Sequence, residues 1–147
     1  MDIELPNDFK EFLRLLRSHG VRYLLIGGYA VIYYGYPRAT SDLDVWVALE
    51  PANADRIVAA LREFGFGTPE LSRDFFLAEK ITRMGNVPVR IEILTTISGV
   101  SFEECFAERV ETVIGDVEVS LIDLKNLKKN KRASGRYKDL ADLENLP

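Results

Sequence analysis

Apolar and polar positions follow two periods along this chain, and the changes of period mark its elements. Phe9, Phe12, Leu13 and Leu16 recur at helical spacing between Pro6-Asn7-Asp8, which offers a cap, and Gly20, which stops the run. This spacing predicts an amphipathic first helix. Residues 21–26 are short and apolar on both faces, the pattern of a buried strand. Gly27-Gly28 closes that strand and begins a helix over 29–34 that is apolar all round and therefore buried. Gly35 ends it, and a loop over 36–41 leads into a strand over 42–48. Pro51-Ala52-Asn53 then caps a helix with Ile57, Val58, Leu61 and Phe64 inward, ended by Gly65.

The second half is mostly strand. Residues 66–79 show no period beyond a helical turn over 72–78. Residues 80–84 and 87–94 flank Gly85-Asn86 and read as a hairpin. In its second arm Val89, Ile91 and Ile93 alternate with Arg90, Glu92 and Leu94, so Arg90 and Glu92 share a face. A helix over 102–107 follows, then a second hairpin of 111–113 and 118–121 about Gly115-Asp116. Asp123 caps a helix starting at Leu124, Gly135 interrupts it, and a last helix over 137–146 places Leu140, Leu143 and Leu146 inward. With no internal repeat and no linker, the pattern predicts one α/β (α+β) domain over 1–147. It has a mixed sheet flanked by helices and a basic helical end over 124–146.

Composition narrows the setting. The chain is 47% hydrophobic and 29% charged, ordinary for a globular protein, and no apolar run approaches the roughly 20 residues of a membrane span. Its acidic start lacks the pattern of a signal peptide, and its single cysteine, Cys105, excludes an internal disulfide. A cytoplasmic protein without a membrane partner is expected. Cys105 reads as a small buried hydrophobe. The single histidine, His19, rules out a Cys/His zinc cluster and sits at a helix end, where the dipole favours a cation. Net charge is −4, but residues 125–147 hold seven Lys/Arg against three Asp/Glu, +4, which leaves −8 for the rest. That basic end suits either a polyanion such as tRNA or a solvated helix face over 125–132.

The candidate chemistry lies in residues 24–47. Asp42 and Asp44 are two apart in a strand and project from one face. Folding alone gives no reason to set two repelling carboxylates in an apolar strand, whereas a divalent cation such as Mg²⁺ or Mn²⁺ does. If the arm carrying Glu92 lies beside that strand, three carboxylates converge where two metal ions about 3.5–4 Å apart would sit. The alternative is a set of surface carboxylates paired with Arg38 and Arg90. Gly27-Gly28 strengthens the metal reading, because a strand delivering two glycines to a helix amino terminus presents backbone N–H groups to phosphate.

In order and spacing, Ile26-Gly27-Gly28, then Asp42-Leu43-Asp44-Val45, then Glu92 within Arg90-Ile91-Glu92-Ile93-Leu94 resemble the nucleotidyltransferase superfamily that shares the fold of DNA polymerase β. Gly27-Gly28-Tyr29-Ala30 with Arg38-Ala39-Thr40-Ser41-Asp42, and the tail with Lys128, Lys131 and Arg136-Tyr137-Lys138-Asp139-Leu140, look like small prokaryotic members near the AbiEii-type toxins of toxin–antitoxin systems. The resemblance implies transfer of a nucleoside monophosphate from an NTP, such as ATP, to an acceptor hydroxyl with release of pyrophosphate. It makes Asp42, Asp44 and Glu92 the catalytic, metal-holding acids. Gly27, Gly28, Arg38, Thr40 and Ser41 would lie at the phosphates, and Lys128 and Lys131 would reach the triphosphate or an acceptor polyanion. The acceptor is a tRNA or other RNA, a protein or a small molecule, and a cognate toxin or antitoxin partner or an oligomer would complete the site.

Two departures stand out: Gly28 replaces the commoner Ser, removing a hydroxyl, and the third acid is Glu instead of Asp. Tyr29, Tyr33, Tyr34 and Tyr36 read as packing residues, with base stacking as the alternative. A catalytically silent nucleotide-binding or partner-binding module of the same fold is the rival function.

Overall fold

A computed structural model describes residues 3–147. Helix α1 (Asn7–Ser18) buries Phe9, Phe12, Leu13, Leu15 and Leu16 on one stripe, as the sequence spacing requires. Strand β1 (Tyr23–Ile26) follows and runs without a loop into α2 (Gly27–Tyr33). After the loop comes β2 (Asp42–Val47), then α3 (Pro51–Phe64), a 3₁₀ turn (Asp74–Leu77), β3 (Ile81–Asn86) and β4 (Val89–Leu94). Helix α4 (Phe102–Ala107), β5 (Val110–Ile114), β6 (Val117–Leu121), α5 (Leu124–Ser134) and α6 (Tyr137–Asn145) complete the order.

The six strands form one mixed sheet in the order β3-β4-β2-β1-β6-β5. Strand β2 sits near its middle, antiparallel to β1 and parallel to β4. Side chains alternate across each strand. Leu25, Leu43, Val45, Ile91 and Ile93 therefore share one face, and all are buried. Helices α1 and α3 pack together, Phe12 meeting Phe64 edge-on at 5.3 Å, and α1 lies against β6 and β4. Each such apolar side chain contributes on the order of 1.5–3 kcal/mol when fully buried. The opposite face carries Asp42, Asp44 and Trp46, with Trp46 covered by Phe102 of α4 at 5.1 Å.

Four expectations are corrected in detail. The first hairpin does not turn at Gly85-Asn86: Asn86 pairs with Val89, so Val87-Pro88 makes the turn and Gly85 lies within β3. Pro88 has no N–H to give a ladder, which suits it to the turn. Helix α1 begins after Pro6 with no side-chain cap. Asn53 does not cap α3, which starts after Glu50 with Pro51 in its first turn. It is instead fully buried, accepting from Arg22 N at 2.7 Å and donating to the carbonyls of Arg22 (3.1 Å) and Ala48 (3.0 Å), so it ties β1, β2 and α3 together.

The fourth correction concerns α6. Leu140 is 44% exposed, while Asp139 and Asp142 are 1% exposed. The helix is rotated because its buried partner is charged: Lys131 Nζ of α5, itself 4% exposed, lies 3.1 Å from Asp139 and 2.9 Å from Asp142. Asp123 does cap α5, accepting from Asn126 N, and the second hairpin turns at Gly115-Asp116, where both residues have positive φ. Among the described residues no helix is long and apolar enough to cross a membrane.

Candidate active site

The register of β4 on β2 assembles the acids. Asp44 stands opposite Glu92 and Asp42 opposite Arg90, so the face that carries Asp42 and Asp44 also carries Glu92. One oxygen from each of the three carboxylates lies within 4.8 Å of the others. Asp44 is the deepest member. Burial, the charge and closeness of Glu92 and the charge of Asp42 push its carboxyl up to about 7. Among the described residues its Oδ1 is buried without a hydrogen-bond partner. A buried carboxylate oxygen lacking a donor is a strained arrangement in a folded protein, which either a proton or a hard divalent cation relieves. The all-oxygen donor set fits Mg²⁺ or Mn²⁺.

The other two acids carry arginines. Arg90 grips Asp42 with a two-pronged bond, Nε to Oδ1 at 3.1 Å and Nη2 to Oδ2 at 2.8 Å, and this bond holds the Asp42 carboxyl below its ordinary range. Ser41 Oγ donates to Asp42 Oδ1 at 3.2 Å. Arg83, opposite Glu92 on β3, donates Nε to Glu92 Oε1 at 2.8 Å. These acids open into a cleft of about 460 Å³ whose far wall is built from α5 and α6, including Asn130, Lys131, Ser134, Arg136 and Lys138. The charge of Lys138 acts on both Asp42 and Asp44, and it forms no ion pair with a carboxylate among the described residues.

Gly27 lines the remaining side, with Gly28 buried behind it. Gly27 has φ +71°, and a Cβ there would overlap Asp44 Oδ2, so the residue must be glycine for two separate reasons. At Gly28 the space that a Cβ would fill is taken by the side chain of Thr40, whose Oγ1 donates weakly to Asp42 O at 3.5 Å. A hydroxyl from the neighbouring loop thus lies against position 28. Gly28→Ser is expected to lower stability and activity because its Cβ collides with Thr40. Adding Thr40→Gly, which removes both the hydroxyl and the Cβ that the new side chain meets, restores part of the stability, so the pair couples by at least about 1 kcal/mol in a double-mutant cycle read by thermal melts.

Arg38 lies beside Gly28, but its guanidinium is bound to Asp142, Nε to Oδ1 at 2.8 Å and Nη2 to Oδ2 at 3.1 Å. It links the loop before Asp42 to α6. Lys131 is in the cleft wall but enclosed by Asp139 and Asp142. Lys128 is not brought to the cleft: it bonds the Pro147 carbonyl at 2.8 Å on another face of α5, alongside Lys125, Lys129 and Arg132.

The tyrosines pack. Tyr29 is 6% exposed, Tyr33 meets Tyr34 edge-on at 5.1 Å, and the Tyr34 hydroxyl bonds the Ile122 carbonyl. His19 ends α1 with Nε2 3.1 Å from Glu63, and Cys105 is buried, its thiol pushed up to about 11 chiefly by burial.

Sequence reasoning left Arg83, Arg136 and Lys138 without roles at the cleft, and Asp139 and Asp142 in no buried network. The signal for the last two was present: acids three apart on a helix, near a lysine on the preceding one.

No family model matches the chain, and no curated protein matches it. Solved structures do. It superposes on a proposed nucleotidyltransferase from Thermotoga maritima (TM1012) with TM-score 0.59 at 12% identity, covering 94% of this chain and 89% of that one. It superposes on the lincosamide antibiotic adenylyltransferase LnuA, solved with lincomycin bound, with TM-score 0.56 at 17% identity, covering 98% and 97%. An antigenic nucleotidyltransferase-like protein from Paracoccidioides brasiliensis gives 0.54 at 16% identity, covering 97% and 76%. The chain has the fold that these nucleotidyltransferases share.

Proposed function

We propose that the protein moves a nucleoside monophosphate from an NTP to an acceptor hydroxyl with the aid of Mg²⁺ or Mn²⁺. The observation that carries this reading is the Asp42–Asp44–Glu92 cluster, its oxygens within 4.8 Å and Asp44 Oδ1 buried without a donor. Asp42, Asp44 and Glu92 would hold the metal, which when bound neutralises phosphate charge and aligns the attacking and leaving oxygens.

The chain's own groups then position the reaction. Gly27 and Gly28, lacking Cβ atoms, let Asp44 and Thr40 pack against the start of α2, beside which the triphosphate would lie, and the hydroxyls of Thr40 and Ser41 brace Asp42. Lys138 and Arg136 supply positive charge from α6, and Lys131 fixes the wall behind them. The acceptor oxygen attacks the α-phosphorus, the bond to the β-phosphate oxygen breaks, pyrophosphate leaves, and Glu92 takes the acceptor proton. Little covalent help is needed, since orientation and fixed charge lower the barrier.

Lys128, with Lys125, Lys129 and Arg132, forms a basic face that suits an acceptor polyanion such as tRNA. We place the protein in the cytoplasm, as one half of a toxin–antitoxin pair or acting with a partner copy.

The test is incubation of the purified protein with each α-³²P-labelled NTP, Mg²⁺ or Mn²⁺, and total RNA or lysate as acceptor. Label on RNA, protein or a small molecule that disappears in the Asp42→Asn/Asp44→Asn variant supports the reading and names the acceptor class. A second reading, nucleotide binding without transfer, draws on the arginines already seated on Asp42 and Glu92. Metal-dependent NTP binding with no transfer to any acceptor favours it.

A further inference from the structure

Arg90 has no role in the chemistry above, yet it makes the most complete contact with the acid cluster. We propose that Arg90 is an exchangeable cation: it holds Asp42 until a divalent metal takes that carboxylate, and then binds a phosphate group of the incoming nucleotide. The proposal rests on the metal-dependent reading of the site.

The three acids differ in how they are held. Asp42 has both oxygens in the fork of one guanidinium, at 3.1 and 2.8 Å. Glu92 is held at a single oxygen by Arg83, and Asp44 Oδ1 has no donor among the described residues. A cation entering between Asp42 and Asp44 must therefore compete with Arg90 for Asp42 and is repelled by its fixed charge. The strand register makes this unavoidable, because Arg90 is directly opposite Asp42 on the same face.

Once a metal holds the three acids and the guanidinium is displaced, the cleft offers it no other vacant acid. Asp139 is held by Lys131 and Arg136, and Asp142 by Lys131 and Arg38. Arg90 lines the cleft with its side chain 34% exposed, so it has room to swing. Its next anionic partner must arrive with a substrate. A planar fork of N–H donors matches two phosphate oxygens as well as it matches a carboxylate.

Two consequences follow. Metal alone binds against Arg90, whereas metal and nucleotide together satisfy both charges. Each therefore raises the affinity of the other by the same factor. The protein binds the two substrates as a unit and takes up little free metal.

The test measures Mn²⁺ uptake by the loss of its free-ion paramagnetic resonance signal, with and without α,β-methylene-ATP, in the wild type and in Arg90→Gln. Exchange predicts that R90Q binds Mn²⁺ alone more tightly and the nucleotide with Mn²⁺ more weakly, so the coupling between them falls by about tenfold or more. Mn²⁺ affinity that is unchanged or lower in R90Q overturns the proposal, since Arg90 would then only orient Asp42. If R90Q does not fold, Arg90→Lys serves: it keeps the charge but loses the fork, and tighter Mn²⁺ binding than wild type is again expected. A wild-type protein that takes up no Mn²⁺ in either condition overturns the metal reading of the site itself, which separates that failure from failure of the exchange.

Discussion

On the proposed function, Asp44→Asn is expected to reduce nucleotidyl transfer by about 10³-fold or more while leaving the fold at least as stable as before. The catalytic loss follows from Asp44's position: it is the deepest of the three acids and the only one whose oxygen is buried without a donor. A bound metal supplies several kcal/mol of charge stabilisation, and about 4 kcal/mol corresponds to a thousandfold in rate. The amide keeps the shape of the side chain but not the charge that would hold the ion.

Stability moves the other way, and its pH dependence identifies the cause. The folded carboxyl titrates at about 7 because burial, Glu92 and Asp42 disfavour its charge, whereas an unfolded Asp titrates near ~3.9. Between those values the folded chain keeps a proton that the unfolded chain has lost. Wild-type stability therefore falls as pH rises through that window. The Asn variant lacks this slope. Melting curves of both proteins without metal are expected to coincide near pH 4 and to separate in favour of D44N by pH 7. Equal slopes would remove Asp44 as the strained group.

Lys131→Met destabilises the chain by about 3–5 kcal/mol, the range for breaking a buried ion pair from one side. Lys131 is the single cation shared by Asp139 and Asp142, both almost fully buried. Removing it leaves two carboxylates facing each other beneath α6. Burial opposes charge on Asp139, but hydrogen bonds from Arg136, Ser134 and Lys131 outweigh it and hold the carboxyl well below the ordinary range. The stability this network contributes is thus present above pH ~3.9 and is lost as the pH falls below it.

Urea unfolding of K131M, followed by far-ultraviolet dichroism, measures the loss. The double variant with Asp139→Asn is expected to be more stable than K131M alone, because the repulsion between the two buried carboxylates is then removed, Asp142 keeps Arg38, and the exposed Arg136 is solvated. A K131M protein as stable as wild type would show that the network is solvated. The same network ends at Arg38 in the loop before Asp42, so K131M also loosens the entrance to β2.

Much of the site was legible from local pattern. A period of two put Asp42 and Asp44 on one face and Arg90 with Glu92 on another strand's face. The glycines after β1 marked a place where side chains must be absent, and Gly65 and Gly135 marked helix ends, both with positive φ. These are properties of a few adjacent residues, and backbone sterics and side-chain alternation decide them without reference to the rest of the chain. The hairpin turn was misplaced because Gly-Asn is a weak turn signal next to a proline, whose missing N–H is the stronger constraint.

The sequence by itself therefore determined the elements, the buried faces of those before α6 and which residues carry carboxylates toward a common side. Tertiary structure alone decided the pairings across long separations: β4 lying parallel to β2 with Glu92 at Asp44, and Arg90 seated on Asp42 across 48 residues. It also set Thr40 over Gly28 and turned α6 so that acids, not Leu140, face inward. The reason is physical. A local period says which side of a strand or helix is buried, but an ion pair or a strand register is fixed by a partner distant in sequence. For α6 the partner was Lys131, whose buried charge outweighed the burial of a leucine.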